Sequence, residues 1–345
     1  MPTLSEVARI AGVTTATVSN VLRNPGKVKD STVKRVKEAI AQTGYRPNLM
    51  ARALAGGKSS MLGMVLPNIN NPFYPEFIRT AERVARQRKY FLMVCNTDEQ
   101  PEIGLAYLRQ ISGTLADGVL VLHTGIGAKE ILEHSGRRAP VVLASEETVD
   151  YSDTISHVAV DFRLAGQIAG QHLIGLGHRR IGVIVGGGLD GCQMLRLEGF
   201  KDALAQSGLT FDEESVTFVP DSIEDGYQAA ATLLEKTPEL TAIFASNDLL
   251  AFGASQQLTD RGIQIPKDVS IIGITDIQLA KQIRPALTTV SLGIEAIATI
   301  SVNLLLDLIE NPDAKPTLVQ APKPTLVVRS STARPPSQNP ARAGS

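Results

Sequence analysis

The sequence predicts a chain in two parts, a small all-helical head and a larger α/β core of parallel sheets built as two similar lobes. Three observations lead there. The stretch EVARIAGVTTATVSNVLR, Glu6 to Arg23, sets Gly12 between two short segments of helical periodicity. From Met61 onward, apolar runs alternate with helical segments, the pattern of strands buried on both faces of a parallel sheet. That series is too long for one small sheet, and a break near Val160 to Arg163 divides it into halves that each open with a strand and a helix.

In the head, Thr3 and Glu6 have capping-box spacing, and Val7, Ile10 and Ala11 form the expected inward face of the first helix. Gly12 supplies a left-handed turn because it has no Cβ to clash there. Thr14 caps a second helix whose Ala16, Val18, Val21 and Leu22 alternate with Thr15, Thr17, Ser19 and Asn20. A third helix is expected from Ser31 to Thr43, with Val33, Val36 and Ile40 inward and Gly44 as its stop. In YRPNLMARALAGGKSS, Pro47 and Asn48 begin a helix of two turns that Gly56 and Gly57 end, too short to be stable alone in water.

The core strands are expected in MLGMVLP, YFLMVCN, GVLVLH, VVLA and HVAVD for one lobe, and in RIGVIVG, VTFVP, TAIFAS and VSIIGIT for the other. LTTVSLG, a helix near Glu295 to Ile309 and the late strand TLVVR return the chain across both lobes. The Pro-rich polar end, residues 331–345, reads as disordered.

With 345 residues, 43% of them hydrophobic, the chain can bury sizeable cores. Its net charge of -1 conceals an asymmetry: residues 1–60 hold ten Lys or Arg against three carboxylates, and the rest holds 24 against 32. A basic block on an acidic body fits a polyanion-binding domain, although a solvated helix face reads the same way on charge alone. Cys95 and Cys192 form no CxxC, which fits a reducing cytoplasm, and MPTLSEVARI has no apolar signal core. No run reaches membrane-spanning length. The five histidines lack metal-ligand spacing, Lys29, Lys34 and Lys58 belong to no Walker motif, and no GxSxG elbow occurs. No cofactor, metal or catalytic residue is expected.

A helix, tight turn and second helix in a basic block read as a helix-turn-helix that enters the DNA major groove. Thr15, Ala16 and Asn20 would face base edges; Thr14, Thr17, Ser19, Lys27 and Thr32 are placed for phosphates. The bland alternative is plain helix surface. GGGLDG at Gly186 to Gly191 follows a strand, precedes a helix, and has Asp221 near the end of the next strand, so a nicotinamide-dependent oxidoreductase is a second reading. A solute-binding protein is a third, opposed by the basic head and the absent signal core.

The stretch LSEVARIAGVTTATVSNVLRNPGKVKDSTVKRVKEAIAQTGYRPNLMARAL resembles the DNA-binding head and hinge of the LacI/GalR family of bacterial transcription regulators. The resemblance continues through MLGMVLPNINNPFY, LIGLGHRRIGVI, LRLEGF, FASNDLLAFG and VSIIGITD to PALTTV, covering residues 3 to 330. It implies a cytoplasmic repressor, a homodimer or tetramer, with a periplasmic-binding-protein-like core that closes on a small effector. The implied division is a head of 1–46, a hinge of 47–60 and a core of 61–330, with lobe 1 taking 61–161 and 291–318 and lobe 2 taking 162–290 and 319–330. The hinge would fold on operator DNA and insert a leucine, matched here by Leu54, into the minor groove. The other reading of Leu54 is a residue of the head's own core.

Matched to the family's effector contacts are Asn71, Phe73, Tyr74, Asp161, Arg196, Asn247, Thr275 and Asp276, although Asn247 and Asp248 could equally cap the helix that follows. Thr275 and Ser145 stand where acidic residues are common in the family, and Asp221 lies near a position often aromatic. With Arg196 kept and those acids lost, the resemblance leans toward a sugar acid or other oxygen-rich metabolite, sugar or nucleoside-like, over a neutral hexose. Asp221 would weigh against an anion if it enters the cleft.

Overall fold

A computed structural model describes residues 2–23, 25–45, 58–122, 125–136, 139–146, 154–187 and 191–336. The expected two-turn hinge helix, Leu54 included, lies outside these residues. Internal contacts divide the chain into two units, Met1–Ser59 and Ser60–Ser345.

The first unit holds α1 (Leu4–Ala11), α2 (Thr15–Arg23) and α3 (Asp30–Thr43). Thr3 accepts from Glu6 N at the start of α1, and Gly12 ends it at φ 62 and ψ 42. Val7, Ala8, Ala11, Val18, Val21, Val36 and Ala39 make the small shared core. Ile10, expected inward, is instead 37% exposed, because Val7, Ala8 and Ala11 centre the buried face about 100° away from it around the helix. The small Ala8 takes the inward place.

In the second unit, lobe 1 carries β1 (Met61–Leu66), β2 (Phe91–Asn96), β3 (Gly118–Leu122), β4 (Val141–Glu146) and β5 (Ser156–Val160). They connect through α4 (Phe73–Gln87), α5 (Pro101–Ile111) and α6 (Ala128–Ser135). Lobe 2 repeats the plan with α7 (Phe162–Leu176), β6 (Ile181–Gly186), α8 (Cys192–Gln206), β7 (Val216–Val219), α9 (Ile223–Lys236), β8 (Ala242–Ala245), α10 (Asp248–Asp260), β9 (Ser270–Thr275) and β10 (Thr288–Ser291). The chain then returns to lobe 1 through α11 (Ile294–Glu310) and β11 (Leu318–Gln320), and ends in lobe 2 with β12 (Thr325–Val327). The sheets run β11-β5-β4-β3-β1-β2 and β12-β10-β9-β8-β6-β7, and among the described strands only β12, beside β10, is antiparallel. Strands β3, β5, β6, β8 and β9 are buried along their whole length, as their mostly apolar runs favour, with Ser156, His157, Ser270 and Thr275 the polar residues buried among them.

Two expectations need correction. The return to lobe 2 comes after Gln320, not at 318, because Leu318–Gln320 adds to the edge of lobe 1's sheet beside His157–Ala159. Three residues on an exposed edge carry almost no apolar signal. The tail also does not begin at 331. Ser331 is 1% exposed; its carbonyl accepts from Ile271 N at 2.8 Å and its hydroxyl from Thr288 N at 2.8 Å. Thr332 bonds to His172, and Ala333 O accepts from His178 Nε2 at 2.9 Å. These small residues dock through backbone groups and short hydroxyls together, which a compositional reading cannot see. No helix among the described residues is long and apolar enough to cross a membrane.

Candidate functional site

The C-terminal ends of the parallel strands in both lobes open on one cavity of about 530 Å³. Lobe 1 contributes Asn68, Asn71, Phe73, Tyr74 and Glu99; lobe 2 contributes Phe162, Cys192, Gln193, Arg196, Phe218, Asp221, Asn247, Asp248 and Thr275, among others. Such a volume suits a small molecule.

Arg196 is only 5% exposed. It projects from the first turns of α8, donating through Nη1 to Ser246 O at 2.7 Å and to Gln193 Oε1 at 3.2 Å. Its guanidinium carbon lies 5.0 Å from the centroid of the Phe162 ring, a cation–π contact. Its Nε is buried with no hydrogen-bond partner among the described residues. Gln193 passes the network on, donating Nε2 to Asp221 Oδ2 at 3.0 Å, and Asn247 Nδ2 donates to Asp221 Oδ1 at 2.7 Å. Asn247 serves two purposes, because its Oδ1 also accepts from Leu250 N at 3.0 Å and caps α10. Both readings of Asn247 therefore hold at once.

Asp221 reaches this place only because Gly186 ends β6. A Cβ on Gly186 would stand 1.7 Å from Asp221 Oδ1, far inside contact distance. Burial pushes the Asp221 carboxyl above its ordinary range, while Arg196 and the bonds from Asn247 and Gln193 pull it back. Burial also raises the Tyr74 phenol, with Cys192 and Asp221 adding to the effect. Phe73 meets Tyr74 edge-on at 5.1 Å, which fixes the lobe 1 wall.

On the lobe 2 side, Asp248, which also lines the cavity, accepts from Thr289 Oγ1 at 2.6 Å and from Ile277 N at 3.0 Å; burial pushes its carboxyl up to about 6. Ile277 precedes a short 3-10 turn, and there Gln278 N donates across to Glu76 Oε1 on α4 of lobe 1 at 2.6 Å. That bond spans the two lobes beside the cavity.

Of the expected effector contacts, Asn71, Phe73, Tyr74, Arg196, Asp221, Asn247 and Thr275 line the cavity. Two lie outside its lining. Asp161 accepts from Leu164 N at 2.8 Å and caps α7. Asp276, at φ 60, pairs with Arg329. Ser145 sits in β4 with its backbone opposite Ala159, and its side chain is not among those described. Sequence reasoning missed Gln193, Glu99, Asp248 and Phe218. The position of Gln193, three residues before Arg196 on one helix face, is the signal that could have found it. Asp221 and Glu99 now stand against a single guanidinium, so the charge of the cavity no longer favours an anion.

In the head, Thr15, Ala16, Asn20 and Lys27 are exposed and Thr17, Ser19 and Thr32 half-buried, while Val18 and Val21 face inward. Thr14 caps the second helix, its hydroxyl oxygen accepting from Thr17 N at 3.1 Å. The second helix thus offers one polar face, in a unit whose lysines at 27, 29, 34 and 37 are all exposed.

A helix-turn-helix head joined to a two-lobed core that encloses a polar cavity defines a class of ligand-responsive DNA-binding regulators. Residues 3–48 match the model for bacterial regulatory proteins of the lacI family, and residues 170–332 match the periplasmic binding protein-like domain. Catabolite control protein A of Priestia megaterium is 33% identical over 322 residues, 93% of this chain and 96% of its own length. The transcriptional regulator GalR of Escherichia coli strain K12 is 32% identical over 97% of each chain. Among solved structures, a LacI family regulator from Enterococcus faecium with bound ribose is 29% identical, with a TM-score of 0.70 over 79% of this chain and 99% of that one. The chain belongs to the lacI family of bacterial regulatory proteins.

Proposed function

We propose that this protein is a sequence-specific, cytoplasmic repressor of transcription whose operator affinity is set by a small, neutral, hydroxyl-rich metabolite held between the lobes of its core. The hydrogen-bonded set Arg196, Gln193, Asp221 and Asn247 in the interlobe cavity carries this reading. A guanidinium, a carboxylate and two amides in one place offer donors and acceptors side by side, as the hydroxyls of a sugar require. Asn71 and Thr275 complete the contacts from either side. The ribose-bound relative supports a sugar.

The division of labour in the head follows its exposed face. Thr15, Ala16 and Asn20 read base edges; Thr14, Thr17, Ser19, Lys27 and Thr32 hold phosphates. A head of residues 1–46 and a hinge of 47–60, with Leu54 as the minor-groove wedge, act in a homodimer on a pseudo-palindromic site. Rotation of one lobe against the other changes whether the two hinges can pair, a coupling of about 1–3 kcal/mol.

The test is a fluorescence-anisotropy titration of the full chain on the duplex upstream of its own gene, with and without members of a panel of sugars, sugar acids and nucleosides. One neutral sugar should raise the melting temperature by mass action and change operator affinity at least about fivefold. Specific DNA binding that no member of the panel alters would overturn the effector reading.

A further inference from the structure

Four consecutive residues, Thr275 to Gln278, each engage a different part of the molecule. Thr275 lines the cavity, and Asp276 pairs with Arg329 on the segment after β12. Ile277 also lines the cavity, and its N–H donates to Asp248 Oδ2 at 3.0 Å. The next N–H, that of Gln278, donates to Glu76 Oε1 of lobe 1 at 2.6 Å. Gln278 opens its 3-10 turn and so has no carbonyl of that turn to reach. Its direction is set from the residue before it: once the Ile277 N–H is held, only the two soft dihedrals of Ile277 remain to turn the Gln278 N–H.

Asp248 is seated to do the holding. It is 1% exposed, and its Oδ1 accepts from Thr289 Oγ1 on β10 at 2.6 Å, which leaves Oδ2 for Ile277. Room for the carboxylate comes from Gly273 on β9, where a Cβ would stand well inside contact distance of Asp248 Oδ1. A buried carboxylate is costly unless its lone pairs are used, and here they tie together two separate elements. One is β10, from which the chain crosses to lobe 1 in α11; the other is the turn that reaches Glu76. Asn247, the residue before Asp248, lines the cavity and donates to Asp221. Glu76 stands in the first turn of α4 with Phe73 and Tyr74 of the opposite wall. Both ends of the interlobe bond are thus mounted on walls of the cavity.

We infer that Asp248 is a positioning residue for lobe closure: by holding the Ile277 N–H it aims the Gln278 N–H at Glu76, and so sets the arrangement of the lobes around the cavity. The inference rests on the regulator reading above, in which movement of one lobe against the other carries the signal, and it names the residue that governs where the lobes meet. A carboxylate that served only the packing of lobe 2 would leave the Gln278 amide as it is.

Amide hydrogen exchange of the full chain at residue resolution, at a pH of about 7.5 with no ligand added, tests this, with the β8 amides, Ala242–Ala245, as the check on folding. Glu76→Ala should speed exchange at Gln278 at least about fivefold and leave Ile277 within about twofold of the natural protein. Asp248→Ala should speed both amides at least about fivefold, and Asp248→Asn, which still offers an oxygen to Ile277 N, should bring both back to within about twofold. In the double variant of Asp248→Ala with Glu76→Ala, Gln278 should exchange no faster than in Glu76→Ala alone, since the same bond is lost only once. If Asp248→Ala disturbs β8, Gly273→Ala, whose methyl displaces the carboxylate without removing it, is read in its place with the same expectation. A Gln278 amide unchanged in the variant read, or rates that multiply in the double variant, overturns the inference and leaves the effector reading standing, because no ligand takes part. If exchange is as expected and the sugar panel fails, the effector reading falls and the alignment of the lobes by Asp248 stands.

Discussion

Arg329 holds Asp276 by a 2.5 Å bond from Nη2 to Oδ1, and the same guanidinium donates Nη1 to Leu287 O at 2.7 Å. The pair is mostly buried, at 17% and 20% side-chain exposure. It ties the segment after β12 to the residue next to Thr275, which lines the cavity. Asp276, which the sequence offers as an effector contact, is thus engaged in holding the rim of the site from behind.

The segment that follows continues this role, which leads to a stability prediction. Removing everything from Ser331 onward takes the acceptors from Ile271 N and Thr288 N and leaves His178 Nε2 without Ala333 O. Orphaned buried groups of this kind cost about 1–3 kcal/mol each, so the truncation should destabilise the core by about 3 kcal/mol or more in urea unfolding. Burial lowers the titration of His172 and His178 below the ordinary 6.5. Their contribution is therefore complete above that pH and lost as pH falls through the lowered values, so the truncated and natural chains should converge on acidification. Equal stability of the two at neutral pH would show the segment to be a passive overhang.

The bond between Gln278 N and Glu76 Oε1 joins the lobes beside the ligand cavity. Its contribution belongs to the arrangement in which the lobes meet, so it should appear in effector affinity. Glu76→Ala is expected to weaken binding of the effector about fivefold, in line with about 1 kcal/mol for a half-exposed charge-assisted bond, and Glu76→Gln to keep most of it. Calorimetry on the three proteins decides. Identical affinities would mean that water replaces the carboxylate without loss.

The exposed cations of the head predict steep salt dependence on operator DNA. Affinity should fall by orders of magnitude between about 50 and 200 mM salt for a dimer that makes six or more phosphate contacts, roughly. Lys27→Ala should weaken all sequences alike and flatten the salt slope, while Asn20→Ala should relax sequence preference. If the two variants behave alike, α2 is not oriented as its exposed face suggests.

The parts of the fold that the sequence made legible are those with long apolar runs. Strands β1, β3, β6 and β9 could be read from MLGMVL, GVLVL, IGVIVG and SIIGIT because burial on both faces favours apolar side chains at successive positions. β11 escaped because Leu318–Gln320 is a three-residue edge strand, and Ser331–Ala333 escaped because hydrogen bonds of backbone and hydroxyl groups hold it, not an apolar face. At the site, Arg196 was legible through its match to the family's effector contacts. Gln193, Glu99 and Phe218 were not, because their roles depend on which strand ends and helix turns meet around the cavity. Asp161 and Asp276 show the converse: short acidic residues at strand ends serve as caps and ion-pair partners as readily as they bind ligands.

Asp248 gives the last prediction, a pH dependence with a definite sign. Its carboxyl is buried, accepts from Thr289 Oγ1 and Ile277 N, and titrates at about 6, against 3.8 for an ordinary aspartate. The folded state therefore binds this proton more tightly than the unfolded chain does. The stabilisation from protonation is complete below 3.8 and is lost as pH rises through 6. Other carboxylates pull in the opposite sense, so the measurement is a difference between the natural protein and Asp248→Asn. Asparagine can still accept from Ile277 N and can offer its amide to Thr289 Oγ1, but it does not titrate. Between pH 7.5 and pH 5, roughly, the natural protein should gain about 1 kcal/mol on the variant, as one pH unit of linkage implies. Urea unfolding of both proteins across that range reads it out. Two stability curves that stay parallel would place the titration of Asp248 well below this window and remove burial as the dominant influence on it.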